Sequence, residues 1–194
     1  MQEAKLSTRL ASARLKYLGM ADRFAALVPP RLASFANSIA ADGKEWAASI
    51  ENEAPDFRER VNHEWYMPCA HQGLFAARDP QFLIAVSNTE AKRPNTSWWA
   101  RVALQTEWDL AGTGAELGVT GCGWRHPEFV MLSTDGNLIV QGTQGQAWTD
   151  IVCLREAHRI PPFREMGVKL TKDKSIPEET RDAVDRWLKA TAPG

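Results

Sequence analysis

The feature that most constrains the fold is a series of strand patterns with short connections in the second half of the chain. The segment EFVMLSTDGNLIVQG (128–142) has apolar and β-branched runs on both sides of Asp135-Gly136, a dipeptide that favours hairpin turns. Similar runs occur in GLFAARDPQFLIAVS, SWWARVALQTEW and QAWTDIVCL. Because a parallel crossover needs a dozen or more residues, such short links predict antiparallel neighbours. We therefore expect an antiparallel sheet of about five to six strands within residues 73–154.

A helical pattern precedes these strands, over residues 1–64. Apolar residues recur every three or four positions from Leu6 to Leu27, and the pattern resumes from Leu32 to Ile50. Pro29-Pro30 separates the two stretches, since proline has no N–H to donate and disfavours helix before it. The pattern predicts a helical hairpin that packs as a layer on the sheet.

One more helix is predicted at the C-terminus. The segment SIPEETRDAVDRWLKA (175–190) has Ser175 and Glu178 at capping-box spacing, followed by an amphipathic pattern. The order of helices, then antiparallel strands, then a helix, in a chain of 194 residues, indicates a single α+β domain.

Composition narrows the class of protein. The formal net charge of −1 argues against a protein that mainly coats nucleic acid or an anionic membrane. Three cysteines at wide spacing form no disulfide framework, and no apolar run approaches the roughly 18 residues of a membrane span. The N-terminus lacks the apolar core of a signal peptide. We expect a cytoplasmic protein without a membrane partner.

Two cysteine–histidine pairs offer an alternative based on chemistry. Cys69 stands near His71, and Cys122 stands near His126. If these segments met in space, the four side chains would suit a tetrahedral zinc site, or a histidine would activate a cysteine nucleophile. Neither pair has the Cys-x2-Cys spacing of a zinc knuckle. The alternative function is a small hydrolase or nucleic-acid-processing enzyme, with or without zinc.

A glycine-rich connection and nearby carboxylates are further candidate sites. The segment GTGAELG (112–118) contains Gly-x-Gly, but it lacks the strand–turn–helix context of a dinucleotide-binding motif. It predicts a flexible loop within the long connection DLAGTGAELGVTGCGWRHP (109–127), and connections of this length are often functional. Glu107, Asp109 and Asp150 would serve acid–base work if they met, although carboxylates are common on solvated sheet faces.

The strongest candidate for a binding surface is aromatic and basic. In SWWARVALQTEW, alternation places Trp98 with Val102 on a core face, and Trp99 with Arg101 on the opposite, polar face. Indole and guanidinium groups together suit a partner surface. The residues predicted to bind are Arg93, Trp99, Arg101, Trp124 and Arg125. The alternative is that an N-terminal helix covers Trp99 and buries both faces of the sheet.

These observations predict a non-enzymatic macromolecule-binding protein, such as an inhibitor, an immunity-type protein or a subunit of a complex. A protein partner fits the aromatic and arginine side chains, because tryptophan and arginine are enriched in interface hot spots. Nucleic acid is the other partner considered, through base stacking on the same residues. The near-neutral charge counts against it, since few cations are available to release counterions.

Overall fold

The structure is a computed structural model that describes residues 3–39, 46–75, 78–87 and 97–192, with the backbone alone at 46 and 47. It contains five α-helices within these ranges: α1 (Glu3–Ser12), α2 (Pro30–Ala33), α3 (Phe57–Gln72), α4 (Pro161–Lys172) and α5 (Glu178–Ala190). Its strands are β1 (Leu15–Met20), β2 (Trp46–Glu51), β3 (Gln81–Ser87), β4 (Ser97–Leu104), β5 (Phe129–Leu132), β6 (Leu138–Gln144) and β7 (Trp148–Arg155).

The strands form one sheet in the order β1-β4-β3-β5-β6-β7-β2, and every pair of neighbours is antiparallel. The α+β class and the antiparallel sheet are therefore confirmed, but the sheet has seven strands. Five of them, β3 to β7, come from the predicted region 73–154. The hairpin of β5 and β6 turns at Gly136, whose φ is 78°.

The two additional strands come from the region 1–64, which the pattern predicts to be helical. The first helix ends at Ser12, because Arg14 takes a left-handed φ of 59° and turns the chain into β1. The helical spacing of apolar residues continues through this break, since Leu10 of α1, Ala13 of the turn and Tyr17 of β1 all pack in the same core cluster. The spacing of apolar residues alone therefore does not distinguish one continuous helix from a helix that is followed by a strand.

One face of the sheet packs against α1 and α3. Trp65 and Cys69 of α3 are fully buried there, against Phe82, Val102 and Met131 of the sheet. The helix ends at Gly73, which takes a left-handed φ of 85° and donates its N–H to the carbonyl oxygen of Cys69. Glycine adopts this conformation without the steric cost of a side chain.

The opposite face of the sheet is covered as well. The segment that includes α2, together with α4 and α5, buries a second cluster with Leu32, Phe163 and Trp187. The C-terminal helix lies where the sequence predicts it, but it begins at Glu178 and has no side-chain cap, because Pro177 occupies the N-cap position and Ser175 binds Asp173 instead. Among the described residues, no helix has the length and apolarity needed to cross a membrane.

Candidate interaction surface at the tryptophan end of the sheet

Three tryptophans that are not fully buried lie at the same end of the sheet. The register places the C-terminal ends of β1, β2 and β3, the N-terminal ends of β4 and β5, and the β6–β7 turn at this end. Trp98 lies at this end of β4, Trp124 lies in the connection that leads to β5, and Trp148 is the first residue of β7. We call this region the tryptophan end.

Trp124 occupies the tip of a short, hydrogen-bonded turn. The N–H of Cys122 donates to the carbonyl oxygen of His126 at 3.0 Å, and the N–H of His126 donates to that of Gly123 at 3.0 Å. A bridge between Gly121 and Pro127 closes the base of the turn. The indole is 56% exposed, so the turn presents a large apolar side chain to solvent.

Arg125 connects this turn to the rest of the tryptophan end. Its carbonyl oxygen accepts a hydrogen bond of 2.8 Å from the side-chain amide of Gln144. Its guanidinium lies 3.8 Å from the carboxylate of Glu53 and 5.9 Å from the centre of the Phe57 ring. Such an exposed ion pair contributes little stability, so its effect is to orient the side chain rather than to hold the fold.

Trp148 is a second exposed indole, which the sequence analysis did not select. It is 51% exposed and lies directly across from Glu51 in the ladder between β7 and β2. The turn before it is fixed by Asn52, whose N–H donates to Ala147 and whose side-chain amide donates to Gly145. The sequence signal for Trp148 is alternation with a polar residue, as for Trp99, because it places Trp148 on the same face of the strand as Asp150.

Trp98 is half-buried beside a cavity of about 460 Å³. The cavity lies between the segment that follows β1, the start of β4 and the start of α5. At its mouth Phe24 is 66% exposed, with the guanidinium carbons of Arg23 and Arg186 at 4.8 and 5.9 Å from its ring centre. This cavity lies near the β1 edge of the sheet, whereas Trp148 lies near the β2 edge.

Trp99 does not belong to this surface, and the prediction that it lies exposed is wrong. Its side chain is only 6% exposed and packs in the second core cluster with Val28 and Leu32. Alternation assigned its face correctly, since Val102 lies in the opposite cluster. The alternative, in which a helical segment covers Trp99, is the arrangement that the structure has.

The predicted arginines have different outcomes. Arg101 is exposed on the same face as Trp99, and its guanidinium is 3.4 Å from the carbonyl oxygen of Leu18. Arg125 lies at the tryptophan end, as described above. Arg93 lies outside the described residues. The structure therefore brings Trp124 and Arg125 into the candidate surface and joins Trp148 to them.

The cysteine and histidine residues do not form a site. Cys69 is fully buried in α3, whereas His71, Cys122 and His126 are exposed. In the part of the chain that the structure describes, no group of three or more metal-binding side chains is present. Burial raises the pKa of the Cys69 thiol well above its usual value, and the nearby Cys153 adds to this increase. A nucleophilic thiolate is therefore disfavoured at Cys69.

The glycine-rich segment is ordered rather than a flexible loop. Leu110–Gly114 forms a π-helical turn, and Asp109 accepts the N–H groups of Gly112 and Thr113 at 2.8 and 2.7 Å. A phosphate at a helix N-terminus would use amides of this kind, and here a carboxylate of the chain itself binds them.

The same carboxylate joins the segment to α3. Arg58 lies 2.7 Å from Asp109, and the amide of Asn62 donates to it at 2.8 Å. Burial raises the pKa of Asp109, but the hydrogen bonds from Asn62, the two amides and Arg58 outweigh it and lower the pKa below its ordinary value.

The three candidate carboxylates are not brought together. Asp109 follows the C-terminal end of β4, whereas Asp150 lies near the tryptophan end, and the sheet separates them. Glu107 is exposed and lies 3.9 Å from Arg14. No paired acid and base results from these residues.

Comparisons with known proteins give no relative from which a function can be inferred. Protein-family models, curated proteins and solved structures all showed no significant match to the chain.

Proposed function

We propose that the protein is a non-enzymatic binding protein that docks on a partner protein through the tryptophan end. The observation that carries the proposal is the presence of two indoles that are both more than half exposed, Trp124 on a hydrogen-bonded turn and Trp148 at the start of β7. It acts as an inhibitor, an immunity-type protein or a subunit of a complex, in the reducing cytoplasm where exposed Cys122 stays a free thiol.

The energetics of interfaces support this assignment. A few buried tryptophan or arginine side chains carry most of the affinity of a typical complex, at about 2 kcal/mol or more each. The hydrogen bonds of Gln144 and Asn52 hold the turn that carries Trp124 and the turn that precedes Trp148 in place before binding. Such preorganisation reduces the conformational entropy that is lost on association.

The charges around the indoles favour a protein over a nucleic acid. Glu51 lies opposite Trp148, Glu53 lies beside Arg125, and Asp150 shares the face of Trp148. Three carboxylates thus lie near the indoles, and the guanidinium of Arg125 already contacts one of them. A phosphate backbone would be repelled here, because affinity for nucleic acid depends on neutralising phosphates with lysine and arginine.

The experiment compares partner capture by matched variants. The tagged full chain would be incubated with lysate of its own host, as wild type and as Trp124→Ala and Trp148→Ala. Met67→Ala and Val168→Ala are controls, because these side chains are also exposed and apolar but lie on helices α3 and α4. We expect one partner to be retained by the wild type and both controls, and each tryptophan variant to bind it about 30-fold more weakly.

Thermal unfolding of each variant separates loss of binding from loss of fold. The proposal requires that both tryptophan variants unfold at the temperature of the wild type. Equal capture by all five proteins would overturn it, and so would a pair of tryptophan variants that bind normally while a control loses binding.

A further inference from the structure

The two edges of the sheet differ in how they are protected. At one edge, β1 has a register irregularity between Tyr17 and Gly19 and an exposed lysine, Lys16. Bulges and lysines are devices that prevent an edge strand from pairing with another chain. At the other edge, β2 pairs with β7 in six consecutive register positions without irregularity. Its sequence, WAASIE, has no proline, lysine or arginine.

Backbone groups at alternate residues of β2 point away from β7. Asn52, one residue beyond the strand, donates its N–H to Ala147 and thus points its backbone groups toward β7. In an antiparallel ladder these directions alternate, so the backbone groups of Ala47 and Ser49 and the N–H of Glu51 point outward. The carbonyl oxygen of Glu51 already accepts the N–H of Ala54 at 3.1 Å. Among the described strands, none pairs with this side of β2.

The exposed side chains of this edge, Ser49 and Glu51, are small or acidic. The side chain of Glu51 is exposed, and Ser49 donates a short hydrogen bond to the carboxylate of Asp150 on the neighbouring strand. Glu53 is almost fully exposed just beyond the strand. Trp148 lies across from Glu51 in the ladder. A strand added here would therefore meet carboxylates at the tryptophan end and little steric obstruction at Ser49.

We propose that β2 binds an extended, lysine- or arginine-bearing segment of the partner protein as an eighth, antiparallel strand. The backbone groups of Ala47 and Ser49 and the N–H of Glu51 would form the ladder, and the carboxylates of Glu51 and Asp150 would contact the cations at alternate positions of that segment. This inference rests on the proposed function, since it names the part of the partner that lies beside Trp148.

The probe is a fluorescein-labelled peptide of four Thr-Lys repeats, titrated with the full-length protein and followed by fluorescence anisotropy. We expect saturable binding that weakens as sodium chloride rises from 25 to 200 mM, about the range over which surface charges become screened. A peptide of four Thr-Glu repeats should bind at least about tenfold more weakly, because its charges repel Glu51 and Asp150.

Backbone methylation distinguishes strand addition from general attraction between charges. In antiparallel pairing, the residues opposite Ala47 and Ser49 exchange hydrogen bonds with them, and the residue opposite Glu51 accepts its N–H. These residues share one face, so they are the lysines. We expect methyl groups on the lysine amides to weaken binding by about tenfold, and methyl groups on the threonine amides to leave it unchanged. Equal effects of the two modifications would overturn the proposal.

Variants of the protein complete the test. Ser49→Lys and Glu51→Lys place a cation on the edge and should each weaken peptide binding by about tenfold, whereas Glu165→Lys, on the exposed surface of α4, should not. Sedimentation of the wild type should show a monomer at concentrations up to about 200 μM. A dimer that Ser49→Lys dissociates would overturn the proposal in favour of a second copy at β2.

The two proposals fail in different ways. If the partner is lost from Trp124→Ala but the lysine peptide does not bind, the inference about β2 is wrong and the proposed function stands. If the peptide binds as expected and no tryptophan variant loses the partner, the docking role of the tryptophan end is wrong.

Discussion

The indole N–H of Trp99 donates a hydrogen bond of 2.7 Å to the carbonyl oxygen of Val28. This bond satisfies the polar atom of a ring that is only 6% exposed. It also fixes the segment before α2 on the face of the sheet, where Leu32 and Phe163 belong to the same cluster. Trp99 therefore stabilises the fold, while its neighbour Trp98 remains half-buried near a cavity at the end of the sheet.

We expect Trp99→Phe to lower the free energy of unfolding by about 1–3 kcal/mol, because the carbonyl oxygen of Val28 loses its donor and the smaller ring leaves space. Trp99→Ala should cost about 3–5 kcal/mol. Urea unfolding measures both. Trp148→Phe is the control and should change stability by less than about 0.5 kcal/mol, because its ring is exposed. A Trp99→Phe variant with normal stability would contradict this role.

The sheet was predictable where local chemistry decides the structure. Asp135-Gly136 gives the turn between β5 and β6, and the alternation in β4 assigns Trp99 and Val102 to opposite faces, as observed. Edge strands β1 and β2 were not predicted, because they lie in a region where apolar spacing also suits a helix. Arg14, with its left-handed φ, breaks the helix, and a single arginine gives no sequence signal of that conformation.

The candidate surface was predictable only in part. Trp124 was selected from the sequence because it lies in a glycine-rich connection next to an arginine. Trp148 was missed and Trp99 was wrongly selected, although both alternate with polar neighbours in the same way. What distinguishes them is the tertiary position of α2, α4 and α5, which cover Trp99 and not Trp148. That position depends on contacts between distant segments, which local patterns do not specify.

The three cysteines should differ sharply in reactivity. Cys122 is exposed, whereas Cys69 and Cys153 are buried, and burial raises the pKa of Cys69. Because the thiolate is the reactive form, a thiol-specific disulfide reagent should modify one thiol rapidly in the folded protein. It should modify all three in concentrated guanidinium chloride. A Cys122→Ser variant in which one thiol still reacts rapidly in the folded state would contradict the assignment of Cys122 as the reactive thiol.

Asp109 should make stability depend on pH in the acidic range. Its pKa is lowered in the folded state, so its stabilising effect is present above the unfolded pKa of about 4. That effect is lost as the pH falls through the lower, folded-state pKa, because the unfolded chain then binds more protons. We expect Asp109→Asn to be less stable than the wild type by about 1–2 kcal/mol at pH 7, since it loses the charged contact with Arg58.

Urea unfolding at pH 7, 4 and 3 tests this expectation. The difference in the free energy of unfolding between the wild type and Asp109→Asn should become smaller at the lowest pH. The other carboxylates titrate equally in both proteins, so their contributions to this difference cancel. A difference that is constant from pH 7 to 3 would show that Asp109 acts by its shape and not by its charge.

Gly142 and Phe129 form a cross-strand pair in which only glycine fits. They are direct partners in the ladder of β5 and β6, and a Cβ atom on Gly142 would lie 2.5 Å from two carbons of the Phe129 ring. We expect Gly142→Ala to destabilise the protein by about 1–3 kcal/mol, because a packed core does not absorb an added methyl group without strain. Gly167→Ala is the control and should be less destabilising than Gly142→Ala. Its Cβ would lie 3.3 Å from the ends of leucine side chains, and it stands inside a helix, where alanine is favoured over glycine.

A double-mutant cycle identifies the cause of the destabilisation. Replacing Phe129 by leucine removes the ring, so Gly142→Ala should cost less in the Phe129→Leu background than in the wild type, by about 1 kcal/mol. Denaturant unfolding of the four proteins gives this coupling energy directly. If Gly142→Ala were as destabilising without the ring as with it, the strain would lie in the backbone of β6 and the pair would not be the reason for glycine at this position.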